Sequence, residues 1–200
     1  LGSASGAKEQ TMMTLEEHDA LVAKLGAVRK QRVESTFGPI PASIPYLDEM
    51  LADATSDEER GLLYSLLISE CSRARNDALY VDRLRRRARD MATDPMSHAG
   101  LATTLALLDQ QHRDEALASA YKALELAKLQ GRQIRYCGTS LARVALSLDE
   151  YGPLQDALRE LVDDSGKPRQ EDIGYEFDFV DQIDPKRCDA ELLNSYKSLA

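Results

Sequence analysis

Residues Asp114–Leu126 read D-E-A-L-A-S-A-Y-K-A-L-E-L. Alanines and leucines recur there at helical spacing, which predicts an amphipathic helix whose buried stripe is made largely of alanine. A stripe of small side chains lets a second helix approach closely, and Ala116 and Ala123 stand seven residues apart on it. The segment therefore reads as one half of a tightly packed helix pair. Gly131 fits its C-terminal stop.

The other half lies upstream, where Leu101, Leu105 and Leu108 share a helical face and a polar turn, Gln110 to Arg113, reverses the chain. The same grammar repeats on both sides. Ser56-x-x-Glu59 is a capping box that opens a helix carrying Leu62, Leu63, Leu66, Leu67 and Cys71 to about Arg75. Asn76 caps a partner running to about Ala92 with Leu79, Tyr80, Leu84, Ala88 and Met91 on one side, and Asp94-Pro95 closes that pair. Downstream, Ile134, Cys137, Leu141, Val144 and Leu148 precede a turn at Asp149 to Gly152. Gly152-Pro153 then starts a helix with Leu154, Ala157, Leu158 and Leu161.

The flanks are also helical in pattern. Thr14-x-x-Glu17 opens a helix to about Val33, and the prolines of Phe37–Pro45 force a loop before a short helix from Tyr46 to Ala54. After a polar linker from Asp163 to Pro168, Ile173, Phe177, Val180 and Ile183 share a helical face. Tyr175, Phe177 and Phe179 alternate as a strand would, but no sheet is on offer and helix is preferred. Asp189 caps a last helix from Ala190 to Leu199. These readings divide the chain into a leader (1–12), an N-terminal helical extension (13–55), a repeat region (56–164) and a C-terminal helical cap (165–200), as one folded unit.

In its third pair the chain resembles the tetratricopeptide (TPR) repeat, with Ala116 and Ala123 at the small positions of the second helix. Gly100 stands at that family's aromatic position, Thr103 and Thr104 at its Leu-Gly pair, and Lys128 at its terminal proline. Aligning Ala78, Ala116 and Ala157 also gives a repeat longer than the usual 34 residues. A generic helical-hairpin array or a closed bundle is the alternative. The resemblance implies an all-α, short TPR-like solenoid and a peptide or protein partner held in the groove of the first helices. Helical phase puts Thr103, Arg135, Thr139 and Arg143 on that groove as exposed contacts.

Composition agrees with helices and narrows the chemistry. Of 200 residues, 43% are hydrophobic and 30% charged, with no Trp and three Phe, so the core must rest on Leu and Ala. A net charge of −9 disfavours broad nucleic-acid binding, which depends on phosphate neutralisation. Cys71, Cys137 and Cys188 are odd in number and lack CxxC spacing, and His18, His98 and His112 lie on separate elements, so neither metal nor cofactor is expected. No nucleophile elbow, Walker A or dinucleotide glycine pattern occurs, and no apolar run matches a membrane span. The expectation is a non-catalytic, cytoplasmic, acidic scaffold or adaptor.

Two other readings compete with the groove. Arg83 to Arg89 is the densest basic run, with Arg85, Arg86 and Arg89 on one helical face as a site for phosphate or RNA. Its plain counterpart is a solvated face braced by Asp82–Arg86 and Arg86–Asp90 pairs. The acidic, aromatic stretch Glu171–Asp184 is either a docking arm or a cap over the open end of the array. As a docking arm it suits a regulatory or immunity-type inhibitor that blocks one cognate protein around Asp178 and Asp181.

Overall fold

A computed structural model describes Ala20, Ala23 and residues 43–73, 77–108, 110–162 and 178–197. Among them the chain is all-α, with helices α1 (Ser43–Asp53), α2 (Asp57–Arg73), α3 (Asp77–Asp90), α4 (Pro95–Leu108), α5 (Arg113–Gln130), α6 (Ile134–Ser147), α7 (Tyr151–Glu160) and α8 (Ala190–Lys197). Two 3-10 turns, Gln110–His112 and Asp178–Gln182, complete the described elements. Of the helix expected over 14–33 only Ala20 and Ala23 are described, both helical. Asn76, the linker from Asp163, Tyr175 and Phe177 lie outside the described residues. The chain divides into two compact units, residues 1–83 and 84–200.

In the first unit α1 packs on α2. α1 begins three residues earlier than expected, at Ser43, because Pro45 is tolerated inside a first turn where its missing amide has no helical partner to lose. The capping box before α2 forms: the Glu59 amide donates to Ser56 Oγ at 3.1 Å, and Glu59 reaches back to the Thr55 amide at 3.1 Å. Leu63, Tyr64, Leu67 and Cys71 are buried, but Leu62 is 42% exposed, since Tyr64 takes the inward place the leucine run left undecided. Buried Glu70 accepts a hydrogen bond from Ser43 Oγ at 2.9 Å, which ties the start of α1 to the end of α2.

The second unit is a run of consecutively packed helices. α4 packs on α5 and α6, α5 on α6, α6 on α7, and α7 on α8. Asp94 caps α4 through the Met96 and Ser97 amides, and Gly131 closes α5 at φ 64°, a left-handed value that glycine adopts without steric cost. The alanine stripe of α5 is buried at Ala116, Ala120, Ala123 and Ala127. Leu105 is buried in α4, whereas Leu108, expected inward, is exposed beside Leu107.

Side-chain links connect equivalent helices one repeat apart. Thr103 of α4 meets Ser140 of α6, Oγ to Oγ, at 2.9 Å across 37 positions. Between the second helices, Arg113 pairs with Glu150 just ahead of α7, Tyr121 donates to Asp156 at 2.8 Å, and Lys128 pairs with Glu160 at 2.5 Å. These links advance in the same direction on both helices, so α5 and α7 run parallel, as stacked hairpins require. The helical-repeat reading of the sequence is thus realised here, and the first helices of the two pairs begin at Pro95 and Ile134, a step longer than 34 residues.

Beyond α7, the 3-10 turn Asp178–Gln182 packs on α6 and α8 and buries Phe179 and Val180, with Ile183 directly after it. Its residues are 3-10 in place of the α-helix expected through Ile183, and Pro185, which lacks an amide donor, bars any continuation. Asp189 caps α8 through the Glu191 and Leu192 amides. Tyr196 then donates to the Leu158 carbonyl of α7.

Candidate functional site

The C-terminal halves of α4 and α6 line a cavity of about 530 Å³, bounded on one side by the 3-10 turn. Thr103, Ala106 and Leu107 line it from α4, and Arg143, Val144, Leu146 and Ser147 from α6; Asp149, Tyr151, Phe179 and Gln182 complete the wall. Thr103 is held by its bonds to the Ala99 carbonyl at 3.0 Å and to Ser140. Ser147 Oγ donates to the Arg143 carbonyl at 2.9 Å. Leu107, one of the lining residues, is 74% exposed, an apolar side chain left in water.

Two of the four groove residues read from helical phase, Thr103 and Arg143, are brought together here. Arg135 is half-buried and does not line the cavity. Thr139, expected exposed, is 2% exposed, and its hydroxyl oxygen has no hydrogen-bond partner. The reason is packing: α6 lies between α4, α5 and α7, so Cys137 to Ala142 are buried on every side and only its C-terminal half opens to solvent. Phase along one helix cannot register a neighbour on a second face. Leu107 did leave a signal: Leu105-Ala-Leu-Leu108 carries more leucines than one buried stripe can hold. Phe179 and Gln182 lie in the stretch Glu171–Asp184 read as a docking arm or cap, and Tyr151 left no signal.

The far rim is a small polar cluster. Arg187 donates to the Asp149 carboxylate at 2.5 Å and to its carbonyl at 3.4 Å, and its guanidinium lies 3.8 Å from the Tyr151 ring centroid. The Asp184 amide donates to Tyr151 Oη at 3.2 Å. Asp149 itself is left-handed, at φ 59°, a conformation costly for a non-glycine residue.

The arginine run of α3 is engaged by carboxylates. Arg85 grips Glu115 with both ends of its fork, at 2.7 and 2.5 Å, and Arg86 pairs with Asp90 at 3.5 Å. Arg83 pairs with Asp48 and Asp82, each at 2.6 Å, so Asp82 braces Arg83 where Arg86 was expected; Arg87 binds Ser97 at 3.0 Å. Arg89 is exposed. The hydrogen bond from Arg85 holds Glu115 below the usual carboxylate range. A depressed carboxyl stabilises the fold above its ordinary pKa of about 4.5 and loses that contribution as pH falls through the lower folded value. We expect Arg85→Ala to cost about 0.5–1 kcal/mol near neutrality, because the pair is partly exposed, and almost nothing near pH 2. Urea midpoints at the two pH values check this; an equal loss at both would contradict it.

Among the described residues no cluster of three His, Cys, Asp or Glu side chains is placed to hold a metal ion. His98 Nε2 sits 3.1 Å from the Ala92 carbonyl at the start of α4, and Cys71, Cys137 and Cys188 are free and buried. No described helix is long and apolar enough to cross a membrane. No protein-family model, curated protein or solved structure matches the chain.

Proposed function

We propose that the chain is a non-catalytic scaffold or adaptor, a TPR-like repeat that holds a peptide or protein partner in the cavity between α4 and α6. The observation that carries this reading is the cavity's place on the two parallel first helices, with Thr103, Arg143 and the 74% exposed Leu107 in its lining. A concave site of mixed lining, with Ala106, Leu107, Val144 and Phe179 beside Thr103, Arg143 and Gln182, suits a partner side chain partly buried and oriented by hydrogen bonds.

The test is a photo-crosslinking residue at Leu107, compared with one at exposed Glu125 of α5, in an extract of the source cells. A protein trapped from Leu107 alone supports the cavity, and equal trapping from both moves the site elsewhere. With that partner purified, Leu107→Asp and Arg143→Glu are each expected to weaken binding about thirtyfold, the scale of a hot-spot residue. Leu107→Asp should leave stability within about 0.5 kcal/mol, since the side chain already stands in water. Unchanged affinity in both variants would end the proposal.

A further inference from the structure

One wall of the cavity differs in kind from the others. α4 and α6 are bound into the array by buried apolar faces along their length, whereas the 3-10 turn has five residues and contributes Phe179 and Gln182 to the lining. The chain after it is held by buried Ile183 and Cys188 and by polar contacts at the surface. Arg187 reaches Asp149 and covers Tyr151, and the Asp184 amide donates to Tyr151. Asp149 and Tyr151 also line the cavity, so the groups that hold the wall are the groups an occupant meets.

We propose that residues 178–188 form a displaceable wall of the cavity, latched by Arg187 on Asp149 and Tyr151. The importance of the wall for partner binding rests on the reading of the cavity given above. A short segment opens locally at lower cost than the helices it covers, and here the latch adds to the burial of Phe179, Val180, Ile183 and Cys188 in keeping it closed. Both latch contacts face solvent: the Arg187 and Asp149 side chains are 44% and 73% exposed. Salt therefore screens the ion pair, while the burial of Phe179, Val180 and Ile183 is not screened. Occupancy of the cavity and closure of the wall are linked, since any occupant that bonds Asp149 or Tyr151 competes with the latch.

The chain carries its own probe. Cys188 follows Arg187 and is buried, and Cys137 is buried in α6 as an internal control. Iodoacetamide labelling of the full chain at pH 8, followed by peptide mass spectrometry and scaled to the urea-unfolded rate, reads each site separately. Arg187→Ala, which removes the ion pair and the ring contact, is expected to speed Cys188 labelling about tenfold, and Asp149→Asn, which removes the ion pair alone, about threefold, each with Cys137 unchanged. Raising salt to 0.5 M should speed Cys188 in the parent chain and not in Arg187→Ala. A Cys188 rate unmoved in both variants, or a Cys137 rate rising in step with it, overturns the wall. The labelling needs no partner, so failure of the partner reading leaves its outcome intact, and failure of the wall leaves the partner reading standing.

Discussion

Leu161→Ala is expected to lower the stability of the 84–200 unit by about 2–5 kcal/mol, and adding Gly138→Ala should recover part of that loss. Leu161 is fully buried where α7 ends, and its side chain fills the space above Gly138 of α6. Truncation removes the transfer free energy of the lost carbons and leaves a cavity. A Cβ on Gly138 would stand 2.8 Å from Leu161 Cδ2 and 3.0 Å from Cγ. Because Cγ is also too close, rotating the leucine tip does not relieve the clash. Gly138→Ala alone therefore costs about 1–3 kcal/mol in overpacking, offset by about 1 kcal/mol of better helix propensity. In the double variant the new methyl occupies the vacated space, so the two changes are expected to couple by about 1–3 kcal/mol. Urea unfolding followed by far-UV circular dichroism would show the double variant more stable than Leu161→Ala. A double variant less stable than either single one would refute the close approach of α6 and α7.

The second large effect is alkaline. Burial raises the Cys71 thiol to about 11 from 9.0, helped by Asp48, Glu70 and Asp82 and opposed by Arg83. The folded thiol keeps its proton above pH 9 while the unfolded one releases it. A group that binds its proton more tightly when folded contributes fully below the unfolded pKa and loses that contribution as pH rises towards the folded one. The loss is about 2 kcal/mol by pH 10.5. Cys71→Ala should abolish this term, so the stability difference between parent and variant, measured by urea unfolding, narrows or reverses between pH 8 and pH 10.5. Lysines and tyrosines titrating in the same range are common to both chains and cancel. A constant difference would place the thiol in a wetter setting than its burial implies.

The Arg85 fork on Glu115 and the Arg87 bond to Ser97 tie the C-terminal half of α3 to the start of α5 and to α4. They explain how a basic run sits in an acidic chain without facing solvent as an unbroken positive stripe.

Much of the fold was legible because its signals are local. Helix ends at Ser56, Gly131 and Asp189 follow from side chains or conformations that satisfy backbone groups within a few residues, and the structure uses all three; Asp94, read only as the close of the second pair, caps α4. The alanine stripe of α5 marked close packing before any partner was known, since only small side chains permit it. Where the signal was ambiguous the outcome was tertiary: Tyr64 went inward and Leu62 outward, although both lie on the same amphipathic helix.

The sequence alone therefore determined most of the described helices and their ends, the pairing of α4 with α5 and of α6 with α7, and the lack of any recognisable catalytic pattern, all of which depend on spacings of a few residues. Only the tertiary structure decided that Thr139 is buried while Thr103 and Arg143 face a cavity, that Tyr151 and Phe179 join them, and that Arg187 closes the rim on Asp149. Those facts depend on which helix lies against a second face and on contacts 33 to 38 positions apart. Helical phase describes one cylinder at a time, and a site made by three elements exists only once they have packed.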